Sequence, residues 1–162
     1  MEKNLGKIII RKAVPEDVPA ILTLIKELSV YEKLADEVRA TEENLRETIF
    51  SPDSHVMVYL AEYENELAGY SISFRNFSTF VGRAGIYLED IYVRPVFRGK
   101  GIGKKLLLKI IEMAKENNYG RVEWCVLDWN KPAIDFYKKL GAEPMEDWTI
   151  FRLSEDKFNN LV

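Results

Sequence analysis

Residues 85–108 read GIYLEDIYVRPVFRGKGIGKKLLL, and this stretch decides how the rest of the chain is read. An apolar run through Val93 predicts a buried strand, with two adjacent carboxylates, Glu89 and Asp90, inside it. The turn Arg98-Gly99-Lys100-Gly101-Ile102-Gly103 follows. It brings consecutive backbone N–H groups together at the start of an amphipathic helix, about Gly101 to Asn117. On that helix Ile102, Leu106, Ile110 and Met113 form one apolar stripe. Free N–H groups at a helix N-terminus form a site for phosphate. Such a cradle beside a strand with two buried acids points to a phosphate-bearing cofactor and proton chemistry next to it.

Working outward, Val56–Tyr63 and Leu67–Phe74 predict a hairpin turned at Glu64-Asn65-Glu66, and Asn76–Arg83 reads as a loop. Further upstream, Ile8-Ile9-Ile10 predicts a first strand. Pro15, Glu16 and Asp17 open a helix whose buried face is Ile21, Leu24, Ile25 and Leu28. Thr41 caps a second helix, Glu42–Phe50. Downstream, Val122–Leu127 predicts another strand, and Asn130-Lys131-Pro132 opens a helix that Gly141 stops. A last strand, Trp148–Leu153, and a short helix end the order β-α-α-β-β-β-α-β-α-β. That order implies an α/β (α+β mixed) fold, a mixed sheet with helices on both faces. No repeat or linker interrupts it, so residues 1–162 read as one domain.

The 162 residues carry a net charge of −3, with 47% hydrophobic and 30% charged residues. This is the balance of a soluble globular protein and argues against nucleic acid as the main partner. A local basic rim remains at Arg94, Arg98, Lys100, Lys104 and Lys105. The N-terminus has no signal-peptide pattern, and no apolar stretch is long enough to span a bilayer. One cysteine, Cys125, leaves no intrachain disulfide and no cysteine-based zinc site. The expected setting is reducing and cytoplasmic, with no metal. Cys125 as an acyl-carrying nucleophile would need a histidine base. The single histidine, His55, falls in a distant loop and reads as surface, so Cys125 reads as a small strand residue. Trp124, Trp129 and Trp148 read as core or pocket wall.

The glycine turn is not a Walker-type loop, which needs glycine where Arg98 stands and Ser or Thr where Lys105 stands. Nor is it a dinucleotide fingerprint, whose third glycine is replaced by Leu106. A tight turn with glycines for geometry alone would not require the positive rim. Arg98-x-x-Gly101-x-Gly103, after a strand and opening an amphipathic helix, resembles the acetyl-CoA signature of the GNAT N-acetyltransferases. The resemblance extends to Tyr87-Leu88-Glu89-Asp90-Ile91-Tyr92-Val93, Asp128-Trp129-Asn130 and Phe136-Tyr137-x-x-x-Gly141-Ala142. With Leu24–Leu28 and Tyr31-Glu32, these are similar to the diamine (spermidine/spermine) acetyltransferase subgroup.

That resemblance implies a GNAT-like acyl-CoA N-acyltransferase fold, with a twisted mixed sheet of six or seven strands. It implies acetyl-CoA as cosubstrate. Backbone groups of Gly99, Lys100, Gly101, Ile102, Gly103 and Lys104 would hold the pyrophosphate, with Arg98 in support. Ile91, Tyr92 and Val93 would pair with the pantetheine arm, a local splay would free donors for the thioester carbonyl, and Asn130 would line the cofactor's other side. Tyr137 takes the place of the acid that protonates the departing thiolate. On residue pattern alone, Tyr137 is also an aromatic on a helix's buried face. Glu89 is the candidate base, directly or through water. Strand alternation separates it from Asp90, leaving Asp90 for structure or for the substrate's distal charge.

Acidic residues near the site, Glu32, Glu89, Asp90, Asp128 and Glu146, imply a small cationic amine. In the subgroup the positions of Tyr31 and Glu32 line the amine channel, and those of Glu146 and Trp148 lie near a dimer interface, so a homodimer is implied. Ser78-Thr79 stands where the spermidine/spermine enzymes carry an acid. With Val126–Asn130 it resembles the sister branch that acetylates thialysine. A short primary amine is therefore expected over a long polyamine. A protein or peptide N-acetyltransferase and a catalytically inactive CoA-binding protein are the competing readings.

Overall fold

Alternating apolar residues assemble a five-stranded sheet in the spatial order β1-β2-β3-β4-β5. In the computed structural model, which describes residues 6–160, the strands are β1 (Ile8–Lys12), β2 (Val56–Tyr63), β3 (Glu66–Ser78), β4 (Arg83–Val93) and β5 (Val122–Trp124). The helices are α1 (Val18–Tyr31), α2 (Glu42–Phe50), α3 (Ile102–Glu116), α4 (Lys131–Lys139) and the short α5 (Glu155–Phe158). β1 to β4 pair antiparallel, and β5 joins β4 in parallel. A parallel neighbour needs a crossover, and α3 supplies it.

Local signals explain the ends of these elements. Thr41 Oγ1 accepts a hydrogen bond from Asn44 N at 3.1 Å and caps α2. Before α1, the Asp17 carboxylate accepts from Val14 N at 2.8 Å. Arg11 grips the same carboxylate through two guanidinium nitrogens at 2.7 and 2.9 Å. Those hydrogen bonds hold Asp17 below the usual carboxylate range.

The helices cover both faces of the sheet. On β2, consecutive Leu60 and Ala61 are both fully buried but enter different clusters. Leu60 packs with Ile21, Leu24 and Leu28 of α1 and Ile49 of α2. Ala61 packs with Ile102 and Leu106 of α3. Successive strand residues point to opposite faces, so α1 and α2 lie on one face and α3 on the other. The expected α3 stripe is buried throughout, joined by Leu107 and Ala114.

Three expectations are corrected. The sheet has five strands among the described residues, not six or seven, because Trp148–Leu153 forms no strand. Trp148, Ile150, Phe151 and Leu153 are exposed instead. Alternation alone does not make a strand without a ladder partner for its backbone groups. β5 ends at Trp124 rather than Leu127. Finally, half of 76–83 is strand rather than loop. The β3–β4 ladder continues out to the pair Ser78 and Arg83, and Gly82, with φ of 68°, closes the turn.

The chain divides into two compact units, one ending at Cys125 and the other starting at Val126. The first holds the sheet, α1, α2 and α3. The second holds α4 and α5, and among its described residues only Asn130 is buried. No helix among the described residues is long and apolar enough to cross a membrane.

Candidate active site

β4 is longer than its parallel partner. Its ladder with β5 covers only Ile86, Tyr87 and Leu88, yet the strand continues to Val93. Beyond Leu88 the edge that faced β5 has no strand beside it in the five-stranded sheet, while the other edge stays paired with β3. Backbone groups of 89–93 on that edge have no ladder partner among the described strands, although Val93 O accepts from a side chain. The ladder with β5 thus ends one residue before the first of the two acids.

The acids differ in environment. In the β3–β4 ladder Ile72 faces Asp90 and Ser73 faces Leu88, so Glu89 is an extra, bulged residue. A bulge re-aims side chains, and it breaks the alternation that was expected to set Glu89 and Asp90 on opposite faces of an ordinary strand. Glu89 is exposed. Asp90 is the shielded one. It accepts a hydrogen bond from the Tyr70 hydroxyl at 2.9 Å, and burial pushes its carboxyl up to about 6, with Glu89 and Glu32 pushing the same way. Glu32 caps the C-terminus of α1 and is raised by burial too. Among the described residues no Lys or Arg pairs with Glu32, Glu89 or Asp90. The cluster therefore has an unbalanced negative charge.

Two arginines fix the end of α1 against the end of β4. Arg94 forks Glu27, with Nε 2.9 Å from Oε2 and Nη2 2.8 Å from Oε1, and donates to Leu67 O at 2.8 Å. Arg98 donates from Nε to Val93 O at 2.9 Å. Its guanidinium lies 4.5 Å from the centre of the Tyr31 ring and 5.7 Å from that of Tyr92. Both are cation–π distances. Arg98 thus supports the turn by tying it to the strand end and to Tyr31. Lys100 is placed 5.0 Å over the Tyr63 ring, and Lys104 and Lys105 are exposed.

The turn itself fits a phosphate group. Gly101 caps α3 with φ of 84° and Gly99 has φ of 76°, left-handed values that glycine adopts without strain. The 15-residue α3 then presents the N–H groups of its first turn, which have no intrahelical acceptor, together with the positive end of its dipole. At Gly103 an added Cβ would meet only Val93 Cγ2, at 3.7 Å. The protein around Gly103 leaves room for a side chain there.

In the second unit, Asn130 is buried and caps α4 by accepting from Ala133 N at 3.4 Å. Tyr137 lies on α4, half-buried, its ring 5.4 Å from that of Phe136. Glu146 and Trp148 are exposed in a stretch without regular structure. Trp129 and Trp148, read as core or pocket wall, are exposed at 47% and 71%. In the first unit, Cys125 is an exposed free thiol just past β5 rather than the small strand residue expected, and it accepts from the Tyr87 hydroxyl at 2.9 Å. His55 is exposed, as expected. Among the described residues no group of three or more His, Cys, Asp or Glu is arranged to hold a metal ion.

Sequence reading missed Tyr70 and the Glu27–Arg94 fork. Tyr70 looks like one more apolar strand position. Its meaning appears only from the register, which pairs it with Tyr92 and sets it diagonal to Asp90.

Comparison with known proteins agrees with this geometry. The chain is 39% identical over 166 aligned positions to the thialysine N-epsilon-acetyltransferase of Bos taurus, covering 96% of this chain and 97% of that protein. It is 32% identical to an L-ornithine N5-acetyltransferase of Arabidopsis thaliana, covering 91% and 84%. An integron cassette protein from the mobile metagenome of V. cholerae superposes with a TM-score of 0.79 at 25% identity, covering 95% and 96%. The resemblance to the thialysine-acetylating branch stands, and the mixed sheet is the GNAT fold. The profile of the acetyltransferase (GNAT) family matches residues 20–142. With the free β4 edge leading into the glycine turn of α3, that match shows that this chain belongs to the GNAT family and is an acyltransferase that uses acetyl-CoA.

Proposed function

We propose that the protein transfers acetyl from acetyl-CoA directly to a primary amine of a small cationic acceptor, a thialysine-like amino acid or a diamine. A short amine or amino-acid side chain is preferred over a long polyamine. The observation that carries this reading is the shielded acidic cluster of Asp90 and Glu32, with no cationic protein partner, beside the free edge of β4. The names of the cattle and Arabidopsis relatives, thialysine and ornithine acetyltransferases, support the same acceptor class. Residues 20–142, which match the family, span both compact units and support one catalytic domain over 1–162.

The cosubstrate supplies an acetyl thioester, and the chain's own residues do the rest. Main-chain groups of Ile91, Tyr92 and Val93 align the pantetheine arm as an added strand. Backbone donors from Gly99 to Lys104 hold the pyrophosphate, with Arg98 bracing the turn and Asn130 on the other side. A donor on the splayed edge faces the thioester oxygen, where negative charge develops on attack. Glu89, exposed at its bulge, takes the proton from the acceptor ammonium, directly or through water. The Tyr137 phenol gives its proton to the departing sulfur. Tyr31, Glu32, Asp90, Glu146 and Trp148 bind the acceptor.

A homodimer belongs to this reading, and the exposed apolar run around Trp148, Ile150 and Phe151 supports it. A monomer mass at micromolar concentration in sedimentation would remove it. The exposed free Cys125 supports a reducing, cytoplasmic setting. No metal, nucleic acid or membrane enters the proposed chemistry.

The test is a panel of acceptors with acetyl-CoA, read as free thiol release. Thialysine-like amines and short diamines are expected to lead in kcat/KM. Preference for spermidine or spermine would overturn the ordering. Transfer to peptide N-termini alone would replace the acceptor class. Acetyl-CoA binding without transfer to any amine would make the chain an inactive CoA-binding protein.

A further inference from the structure

We propose that Tyr70 is a positioning residue. Its hydroxyl holds Asp90 so that the second carboxylate oxygen receives a further ammonium group of the acceptor, and this selects dibasic over monobasic amines. The inference rests on the amine-acetylating reading above and names what makes that site choosy.

The geometry begins with the Tyr70 ring, which is 0% exposed. It packs among Leu24, Leu28 and Leu60 and meets the Tyr92 ring edge-on, at 6.5 Å and 64°. A ring so enclosed has one orientation, so its hydroxyl has one direction. That hydroxyl donates to Asp90 Oδ2 at 2.9 Å. Burial first, and Asp90 second, push the phenol far above its ordinary value, so it remains a donor at every working pH. Oδ1 of Asp90 takes no side-chain hydrogen bond among the described residues.

A purely structural role would be an expensive use of these groups. A shielded carboxylate without a cation is costly, and an apolar pair of the same shape would pack without that cost. The groups facing Asp90 are Tyr70 from β3, Glu89 on β4 and Glu32 from the end of α1. Two of the three are further acids. Tyr92 lies behind Tyr70, with Arg98 5.7 Å over its ring. The arrangement opposes ionisation of Asp90 except for one favourable contact, the Tyr70 hydroxyl. An incoming ammonium would supply the missing charge. A monobasic amine spends its only nitrogen on the reaction and cannot do so.

The experiment compares propane-1,3-diamine with propylamine, each with acetyl-CoA, between pH 5.5 and about pH 8.5, a range that brackets the titration of Asp90 and lies below the usual primary-amine value. The unsubstituted protein, Tyr70→Phe and Asp90→Asn are used, each checked for folding by circular dichroism. The kcat/KM ratio of diamine to monoamine is expected to be high at neutral pH and to fall as pH drops through about 6, where Asp90 gains its proton. Tyr70→Phe keeps the ring but removes the hydrogen bond that lowers the Asp90 value. The ratio should then fall roughly tenfold, mainly through the diamine KM. The pH at which selectivity is half lost should rise by about one unit. Asp90→Asn should remove both the selectivity and its pH dependence.

If Tyr70→Phe matches the unsubstituted protein in ratio and midpoint, Tyr70 does not position Asp90. If Asp90→Asn still discriminates, the second ammonium binds elsewhere and the proposal fails, even if Tyr70→Phe is unfolded. Transfer with no selectivity in the unsubstituted protein overturns this inference alone. Transfer to neither amine, nor to any acceptor of the panel, overturns the proposed function together with it.

Discussion

The first unit, through Cys125, and the second, from Val126, are built on different terms. The first buries two apolar clusters against a sheet, and every strand in it has a ladder partner. The second has one buried residue among those described, Asn130, and that residue is a helix cap. Their chemical parts divide the same way. The glycine turn, the free strand edge, Glu89 and the shielded acids belong to the first unit, and the proposed acid Tyr137 to the second. Most of the proposed binding groups therefore belong to the well-packed unit, while Asn130, Glu146 and Trp148, like Tyr137, belong to the less buried one.

The sharpest way to break that division is to remove one proton-transfer group from each unit. Glu89→Gln and Tyr137→Phe should each lower kcat by about 10²–10⁴-fold, with acetyl-CoA affinity unchanged by calorimetry. An unchanged turnover for Tyr137→Phe would leave the second unit without a role in the chemistry.

Stability should show the same contrast at smaller scale. Leu106 is fully buried against the sheet, so Leu106→Ala should cost about 2–5 kcal/mol in urea unfolding. Ile150 is 71% exposed, and Ile150→Ala should stay within about 0.5 kcal/mol. A large loss at Ile150 would mean that a partner surface covers it in solution.

Within the first unit, two neighbouring glycines separate backbone strain from ligand approach. Gly101→Ala puts a Cβ on a left-handed residue and should cost about 1–2 kcal/mol of stability. Gly103→Ala meets nothing closer than 3.7 Å, so its melting temperature should hold while its KM for acetyl-CoA rises. Unchanged KM at Gly103 would argue against a close phosphate.

The smallest expected effects are two pH dependences of opposite sign. Asp17 is held low by Arg11, so its contribution is present at neutral pH and lost as pH falls below the usual carboxylate range. Asp17→Asn should cost about 1 kcal/mol at pH 7 and nothing in strong acid. Asp90 is raised, so the folded state binds the proton more tightly, and its stability is greatest in acid and declines up to about pH 6. Asp90→Asn should therefore be the more stable protein above pH 6, with no gain in acid. Chemical denaturation at several pH values reads both.

What was legible in the sequence follows the range of the forces involved. The cap at Thr41, the α3 stripe and the ends of β2 depend on neighbours a few residues away, and all were readable. The glycine turn was readable because its geometry is local too. The bulge at Glu89 was not, since it is a mismatch between β3 and β4 that neither strand carries alone. It moved Glu89 to the surface and left Asp90 as the shielded acid. Tyr70 was hidden for the same reason. Trp148–Leu153 failed in the opposite sense, having a strand's alternation but no partner for its backbone.

The uneven distribution of burial also has an optical consequence. All three tryptophans, Trp124, Trp129 and Trp148, lie at or beyond β5. Indole emission therefore reports on the chain's last third, while far-ultraviolet dichroism is dominated by the sheet and its three long helices. A denaturation followed by both signals tests whether the protein unfolds in one step. Coincident curves mean a single cooperative unit, and an emission change that runs ahead of the dichroism means that the second unit opens first.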